Sequence, residues 1–276
     1  MTASPTIAAL RSVLLLDNKP IGTCGNGSIQ TTKLVAIDDV VVLGHRKNVL
    51  TAKVPLPGVE EYDRQSEVQK KDMGLSPIPK TMDNVLTFNL FSMENHVETV
   101  CNTSGNVVGA VDSAGYCKIS VAKLHRDHHD GKRPRWEESN SVLNFKLPAS
   151  MQGWHGMSLQ AEKAVVCSHF GKLTCCFDMQ TGSQISKFYH GLNPMGLCHL
   201  DDNVVAVAEW GGISFWDVRS GNGDRQNSIG RASRSPLYSI CVDGNTIASI
   251  GEQSSVTCHD IRMKGRVILN WRAPLK

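Results

Sequence analysis

One phrase recurs three times in the second half of this chain: FDMQTG at Phe177–Gly182, WDVRSG at Trp216–Gly221 and HDIRMKG at His259–Gly265. Each sets a ring beside an aspartate and closes on glycine after a short polar run. The aspartates Asp178, Asp217 and Asp260 stand 39 and 43 residues apart. A period of about forty residues marks stacked or radially arranged units, each of which buries its apolar faces against its neighbours. Function in such a chain is expected in its surfaces rather than in one chemical centre.

Upstream of each phrase the text repeats as well: an apolar run, a turn, a second apolar run, a second turn, then the phrase. The three copies read GMSLQAEKAVVCSHFGKLTCCFDM from Gly156, GLCHLDDNVVAVAEWGGISFWDV from Gly196 and YSICVDGNTIASIGEQSSVTCHDI from Tyr238. Their apolar runs are short, rich in β-branched residues and bounded by Asp, Asn and Gly. Branched side chains suit a pleated surface and the bounding residues tolerate turns, so the runs predict antiparallel strands. Weaker copies lie at Thr99–Leu124 and Lys33–Val54, with an abbreviated one at Ser12–Gln30. A fourth strand follows in three places, at Val85–Leu90, Val142–Leu147 and Ile268–Ala273.

These residues resemble the WD-repeat β-propeller family. The resemblance rests on the Trp216-Asp217 pair, its echoes Phe177-Asp178 and His259-Asp260, and the His155-Gly156 and His190-Gly191 pairs ahead of two copies. It implies an all-β fold, a β-propeller of four-stranded antiparallel blades, in one domain over residues 1–276. Six blades, the first abbreviated, are favoured over seven, because seven regular units of about forty residues would leave no length for two charged inserts. Family members place an aspartate in the turn between the second and third strands. Here Trp210 holds that place in one copy and Gly171 in another. The family's hydrogen-bonded His, Asp, Ser and Trp network is therefore not expected in these blades, and packing alone is expected to hold some of them. Ile268–Ala273 already supplies an outer strand, so a ring closed by the N-terminal strand is not expected; a partner protein completing an exposed blade edge is one alternative.

Charge and composition exclude several classes. The 29 Lys and Arg against 26 Asp and Glu leave a net charge of +3, too small to make nucleic acid the principal partner. Nine cysteines, mostly inside apolar strand text and without a C-x-x-C pair, suit a reducing cytoplasm or nucleus. The vicinal Cys175-Cys176 pair falls within a strand, where neighbours point to opposite faces, so it reads as packing rather than redox chemistry. No run approaches the roughly twenty apolar residues that span a bilayer, and the N-terminal apolar stretch is broken by Arg11. Neither a phosphate-binding Gly-rich loop nor a G-x-S-x-G elbow is present, and no catalytic residue or cofactor is expected. His125, His128 and His129 with Asp127 and Asp130 have ligand-like composition, but they sit beside Gly131 and Pro134 in loop text, so no metal is expected either.

Two charged inserts, at about residues 55–83 and 125–141, fall between the third and fourth strands of neighbouring units. On a repeat scaffold, insertions of this kind crowd onto one rim and serve binding, although lengthening an exposed loop also costs little and can be passive. The expected function is a non-catalytic scaffold or adaptor within a multiprotein complex. Its candidate contacts are Tyr62, Arg126, Arg133, Arg135 and Trp136, because aromatic and Arg anchors dominate interface energies. An RNA-binding propeller using the basic insert at 125–136, and a small-ligand or enzymatic propeller using a central channel near His96, Glu98 and His199, are the alternatives.

Overall fold

The computed structural model describes residues 34–37, 40–53, 87–103, 106–125, 135–148, 152–220, 224–229, 235–252, 255–263 and 266–272. Twenty strands form five four-stranded antiparallel sheets, each a simple up-and-down run in chain order. The first contains β1 (Leu34–Ile37), β2 (Val40–His45), β3 (Asn48–Lys53) and β4 (Thr87–Ser92). In the second are β5 (Val97–Asn102), β6 (Val107–Asp112), β7 (Tyr116–His125) and β8 (Arg135–Lys146). The third holds β9 (His155–Gln160), β10 (Lys163–Ser168), β11 (Leu173–Asp178) and β12 (Gln184–Tyr189). The fourth consists of β13 (Gly196–His199), β14 (Val204–Glu209), β15 (Gly212–Asp217) and β16 (Asp224–Ile229). The last comprises β17 (Leu237–Asp243), β18 (Thr246–Gly251), β19 (Ser255–Asp260) and β20 (Arg266–Arg272). No α-helix occurs among the described residues, and none of their helices is long and apolar enough to cross a membrane.

Consecutive sheets pack face to face, with the first strand of each touching the first strand of the next from β1 through β5, β9 and β13 to β17. Four apolar cores fill the four interfaces. Val42, Val49 and Leu90 meet Val100, Val108 and Ala110 between the first two sheets. Val111, Ile119 and Leu147 meet Met157, Val166 and Cys175 between the second and third. Val165, Cys176 and Phe188 meet Leu197, Val205, Val207 and Trp216 across the next interface, and Ala206, Ile213 and Phe215 meet Leu237, Ile240 and Ile247 across the last. A sheet covered on both faces has no polar side, which is why Ala164–Cys167 and Leu173–Phe177 are buried without interruption. Cys175 and Cys176 point into different cores, as alternation along a strand requires. Such an arrangement is compatible with a propeller.

Several details differ from expectation. The last strands β12 and β16 lie in text too polar to stand out, and β12 buries only Ser186 and Phe188. The second insert is not loop throughout. Arg135–Ser139 pairs with Val121–His125 and prolongs the β7–β8 hairpin, so a run read from charge as solvated loop is half strand. Hydrogen bonding across the hairpin satisfies the backbone whatever the side chains carry. The first insert and the abbreviated copy at 12–30 lie outside the described residues.

Close approach of two paired strands within the last sheet explains one glycine. A Cβ on Gly251, at the end of β18, would run into the Pro236 carbonyl oxygen at the start of the last sheet. Gly251→Ala is therefore expected to cost about 1–3 kcal/mol through overpacking, read as a lowered denaturation midpoint with unchanged slope.

Candidate partner-binding surface

In an up-and-down sheet of four strands, the lead-in, the turn between strands two and three, and the exit share one end. The other two turns share the opposite end. Backbone bonds fix both sets. At the first end Val97 N donates to Arg46 O, Gly153 N to Ser113 O, His190 N to Lys172 O and Glu252 N to Pro236 O. At the second, Met179 N donates to Glu162 O, Val218 N to Asn203 O and Ile261 N to Asn245 O.

The recurrent aspartates cap the second end. Asp178 Oδ1 accepts from the Gln180 and Thr181 amides at 2.9 and 2.7 Å and from the Thr181 hydroxyl at 2.9 Å. Asp217 accepts from the Arg219 amide and Nε, each at 2.9 Å, and Asp260 from the Arg262 amide and guanidinium at 2.9 and 2.8 Å. Hydrogen bonds from the Arg219 side chain hold the Asp217 carboxyl down at about 2. An aspartate that bonds the amide two residues on closes a turn, so the phrase repeats because the turn repeats.

Carboxylates also organise the first end, at the last residue of the second strand. In the second sheet Asp112 accepts from the Ala114 and Tyr116 amides at 2.9 Å each, and its other oxygen binds the Asn95 amide at 3.1 Å and Asn95 Nδ2 at 3.0 Å. Glu209 fills the same place in the fourth sheet. It accepts from His190 Nδ1 at 3.0 Å and from the Ser214 hydroxyl, which itself accepts from Trp216 Nε1 at 2.8 Å. Thr174 Oγ1 lies 2.8 Å from His190 Nε2, and Trp216 stacks on Phe188 with centroids 4.6 Å apart. The expectation that a polar network would be missing here is thus overturned for this sheet. Glu209, at the end of β14 and one residue ahead of Trp210, is the carboxylate that joins His190 to Ser214. The two His-Gly pairs are not equivalent either. His190 sits in the connection after β12 and joins the network, whereas His155 lies within β9 and bonds Gly153 O at 2.9 Å.

Rings gather at this same end. Trp154, in the lead-in to the third sheet, contacts His169 in that sheet's middle turn and Tyr238 in the last sheet, at centroid distances of 6.3 and 5.8 Å. His169 packs edge-on against Phe170 at 4.8 Å, and its ring is fixed by Pro194 O at 3.2 Å on Nδ1 and Asn193 Nδ2 at 3.2 Å on Nε2. Large apolar side chains are exposed at this end: Phe170 is 53% exposed, Tyr189 65% and Trp210 57%, and Leu192, in the connection after β12, is exposed as well. These exposed apolar side chains stand at the same end of the sheets as the hydrogen-bonded turns, and rigid rings of this kind lose little entropy when they are ordered against another surface.

The residues singled out from sequence fall elsewhere. Arg135 and Trp136 open β8 at the opposite end, while Tyr62, Arg126 and Arg133 lie outside the described residues, as do the histidines at 128 and 129. Neither Arg135 nor Trp136 is brought to the end where these rings stand. These exposed residues leave no repeated mark in the sequence, because each stands alone in its own turn, connection or strand. Trp210 stood out only as the wrong residue for an aspartate's place. Of the proposed channel groups, His199 is engaged by the Ser158 hydroxyl at 2.9 Å and burial drives its pKa to about 4. Glu98, on β5, is raised to about 7 by burial and by Asp112. Burial also pushes the Cys175 and Cys176 thiols up to about 12 and 11, which leaves them poor thiolates.

No protein-family model matches the chain, and none of the curated proteins matches it.

Replacing Glu209 by Ala should cost about 1–3 kcal/mol for each buried partner it leaves unsatisfied, with Trp216 fluorescence reporting the loosened ring. The lowered His199 value means that the unfolded chain binds the extra proton between its ordinary 6.5 and about 4. Stability from this site is therefore lost as pH falls through that window, and His199→Gln should flatten the acid side of the stability curve. In an NMR titration the His199 ring is expected to stay neutral down to about pH 5.

Proposed function

We propose that the chain is a six-bladed β-propeller of WD-repeat type that serves as a non-catalytic scaffold or adaptor, docking protein partners on the aromatic arc of Phe170, Tyr189, Leu192, Trp210 and Tyr238. The observation that carries this reading is the exposure of several large rings at one end of adjoining sheets, where the buried Glu209 network also lies. Five four-stranded sheets, each contacting the next through its first strand, with one abbreviated copy ahead of them, support six blades. The binding surface moves from the insert rim to the opposite end. Arg135 and Trp136 on the β7–β8 hairpin then supply a second, peripheral contact.

An adaptor role follows from chemistry as much as from shape. The buried ionisable groups near the first strands are committed to holding turns and sheets together, as Asp112 and His199 illustrate. The arc, by contrast, offers apolar area with Lys172 and Lys187 at its edge, and Lys187 lies 5.9 Å from the Tyr189 ring. Such a surface suits a protein partner with an apolar centre and a polar rim. Phe170→Ser and Trp210→Ser, made in the full chain and checked by circular dichroism, should each weaken the endogenous complex by about 2 kcal/mol, as loss of an anchor does. Quantitative mass spectrometry of the purified assemblies reads the change; partner recovery unaltered in the double variant overturns the proposal.

A further inference from the structure

β12 is the outer strand of the third sheet, and its exposure alternates: Ser186 and Phe188 are buried, Lys187 and Tyr189 exposed. A bulge displaces Ile185, so the regular edge runs from Ser186 onward. His190 N donates to Lys172 O, and this bond fixes how the ladder alternates. Ser186 and Phe188 exchange bonds with β11, while the N–H and C=O of Lys187 and Tyr189 face away from the sheet. Among the described residues no other backbone takes them up. Charge along this edge has one sign. The Lys187 ammonium stands 5.9 Å from the Tyr189 ring, and past that ring Lys172 Nζ donates to Gly191 O at 3.4 Å, so two cations flank one exposed aromatic side chain. The β11–β12 hairpin carries a single carboxylate, Asp178, at its other end, where it accepts from Gln180 and Thr181. Glu209, the acid bonded to the connection after β12, is buried and committed to His190 and Ser214.

We infer that the edge of β12 takes up an extended acidic segment of a protein partner as an added strand. An apolar residue of that segment lies beside Tyr189, and the residues two positions to either side are acidic, facing Lys187 and Lys172. This rests on the adaptor reading above and names the chemistry of what docks at Tyr189. Open backbone groups call for a strand rather than a helix, because only an extended chain returns their hydrogen bonds. The period of two along β12 then sets the spacing of the partner's residues, since side chains directly opposite share a face. Lys187 selects among strands: a lysine on an open edge repels indiscriminate pairing, and an opposing carboxylate removes that penalty. A second copy of this chain, paired antiparallel about Lys187, would set that lysine against itself, which disfavours it as the occupant.

Random dodecapeptides displayed on phage and selected on the full chain test this. Recovered peptides should place an apolar residue between two acidic ones, each two positions away. A synthetic peptide of recovered sequence should slow amide exchange at Lys187 and Tyr189 and bind the Lys187→Glu variant about tenfold more weakly. Changing the peptide's acid that faces this site to lysine should restore its affinity for the variant. Unchanged exchange at those two amides, as docking of a helix or binding at another strand would give, overturns the inference. Binding indifferent to the charge reversal overturns it too, as does pairing of β12 with a second copy. The endogenous complex separates this failure from failure of the adaptor reading. Partner recovery lowered by Phe170→Ser with Trp210→Ser but untouched by Lys187→Glu removes only the acidic strand, whereas recovery untouched by all three removes both.

Discussion

A sheet with two apolar faces is stable only between two neighbours, and that constraint governs this chain. Three of its five described sheets are sandwiched and read as nearly continuous apolar text. In the third, Val165 and Val166 point into different cores although they are adjacent in sequence. Neither core survives without the sheet beyond it. Burial on this pattern makes each unit depend on the next, so stability is shared along the stack rather than held in a single centre.

Packing of this kind does not by itself fix how one sheet is set against the next, because apolar contact is indifferent to direction. Polar groups supply direction. Asp112 and Glu209 each tie a lead-in to the turn that follows the second strand, and Asp178, Asp217 and Asp260 close the turns at the other end. Both ends of the sheets are thereby pinned. The carboxylates at the second end take donors from their own turns; Glu209, no more buried than Asp217 and Asp260, has a histidine and a serine instead. Its partners His190 and Ser214 are themselves buried, which makes the set an all-or-none arrangement in which the loss of one member strands the others.

How much of this was legible in the sequence depends on whether a feature repeats. The aspartate turns repeat with the period of the units and could be read from spacing alone. So could the second and third strands of the sandwiched sheets, whose apolar runs are nearly uninterrupted because both faces are covered. The fourth strands β12 and β16 were hard to read, since an outer strand buries few of its side chains and its composition drifts toward that of a loop. The β7–β8 extension was hidden for the same reason: a hairpin beyond the core is held by backbone bonds, which leave no mark on residue type. Glu209 was the one overlooked signal. An acidic residue ending the run VVAVAE, with Ser214 and Trp216 downstream and His190 upstream, calls for a buried partner, but it lay one residue ahead of the place where the family pattern was sought.

Surfaces are less legible than cores for a physical reason. The rings at this end come from the lead-in, middle turn and last strand of the third sheet, the middle turn of the fourth and the first strand of the last, and nothing in the chain order joins Trp154 to Tyr238. Only stacking of three sheets brings them within contact. The inserts, by contrast, announced themselves through charge, yet charge marks solvent exposure before it marks binding. Trp210 stands on a turn next to the buried Glu209, so on the proposed reading the stabilising chemistry and the recognising chemistry share one end of the molecule. A change that loosens Glu209 would be felt at the arc through the His190 and Gly191 connection, without touching any ring that a partner meets.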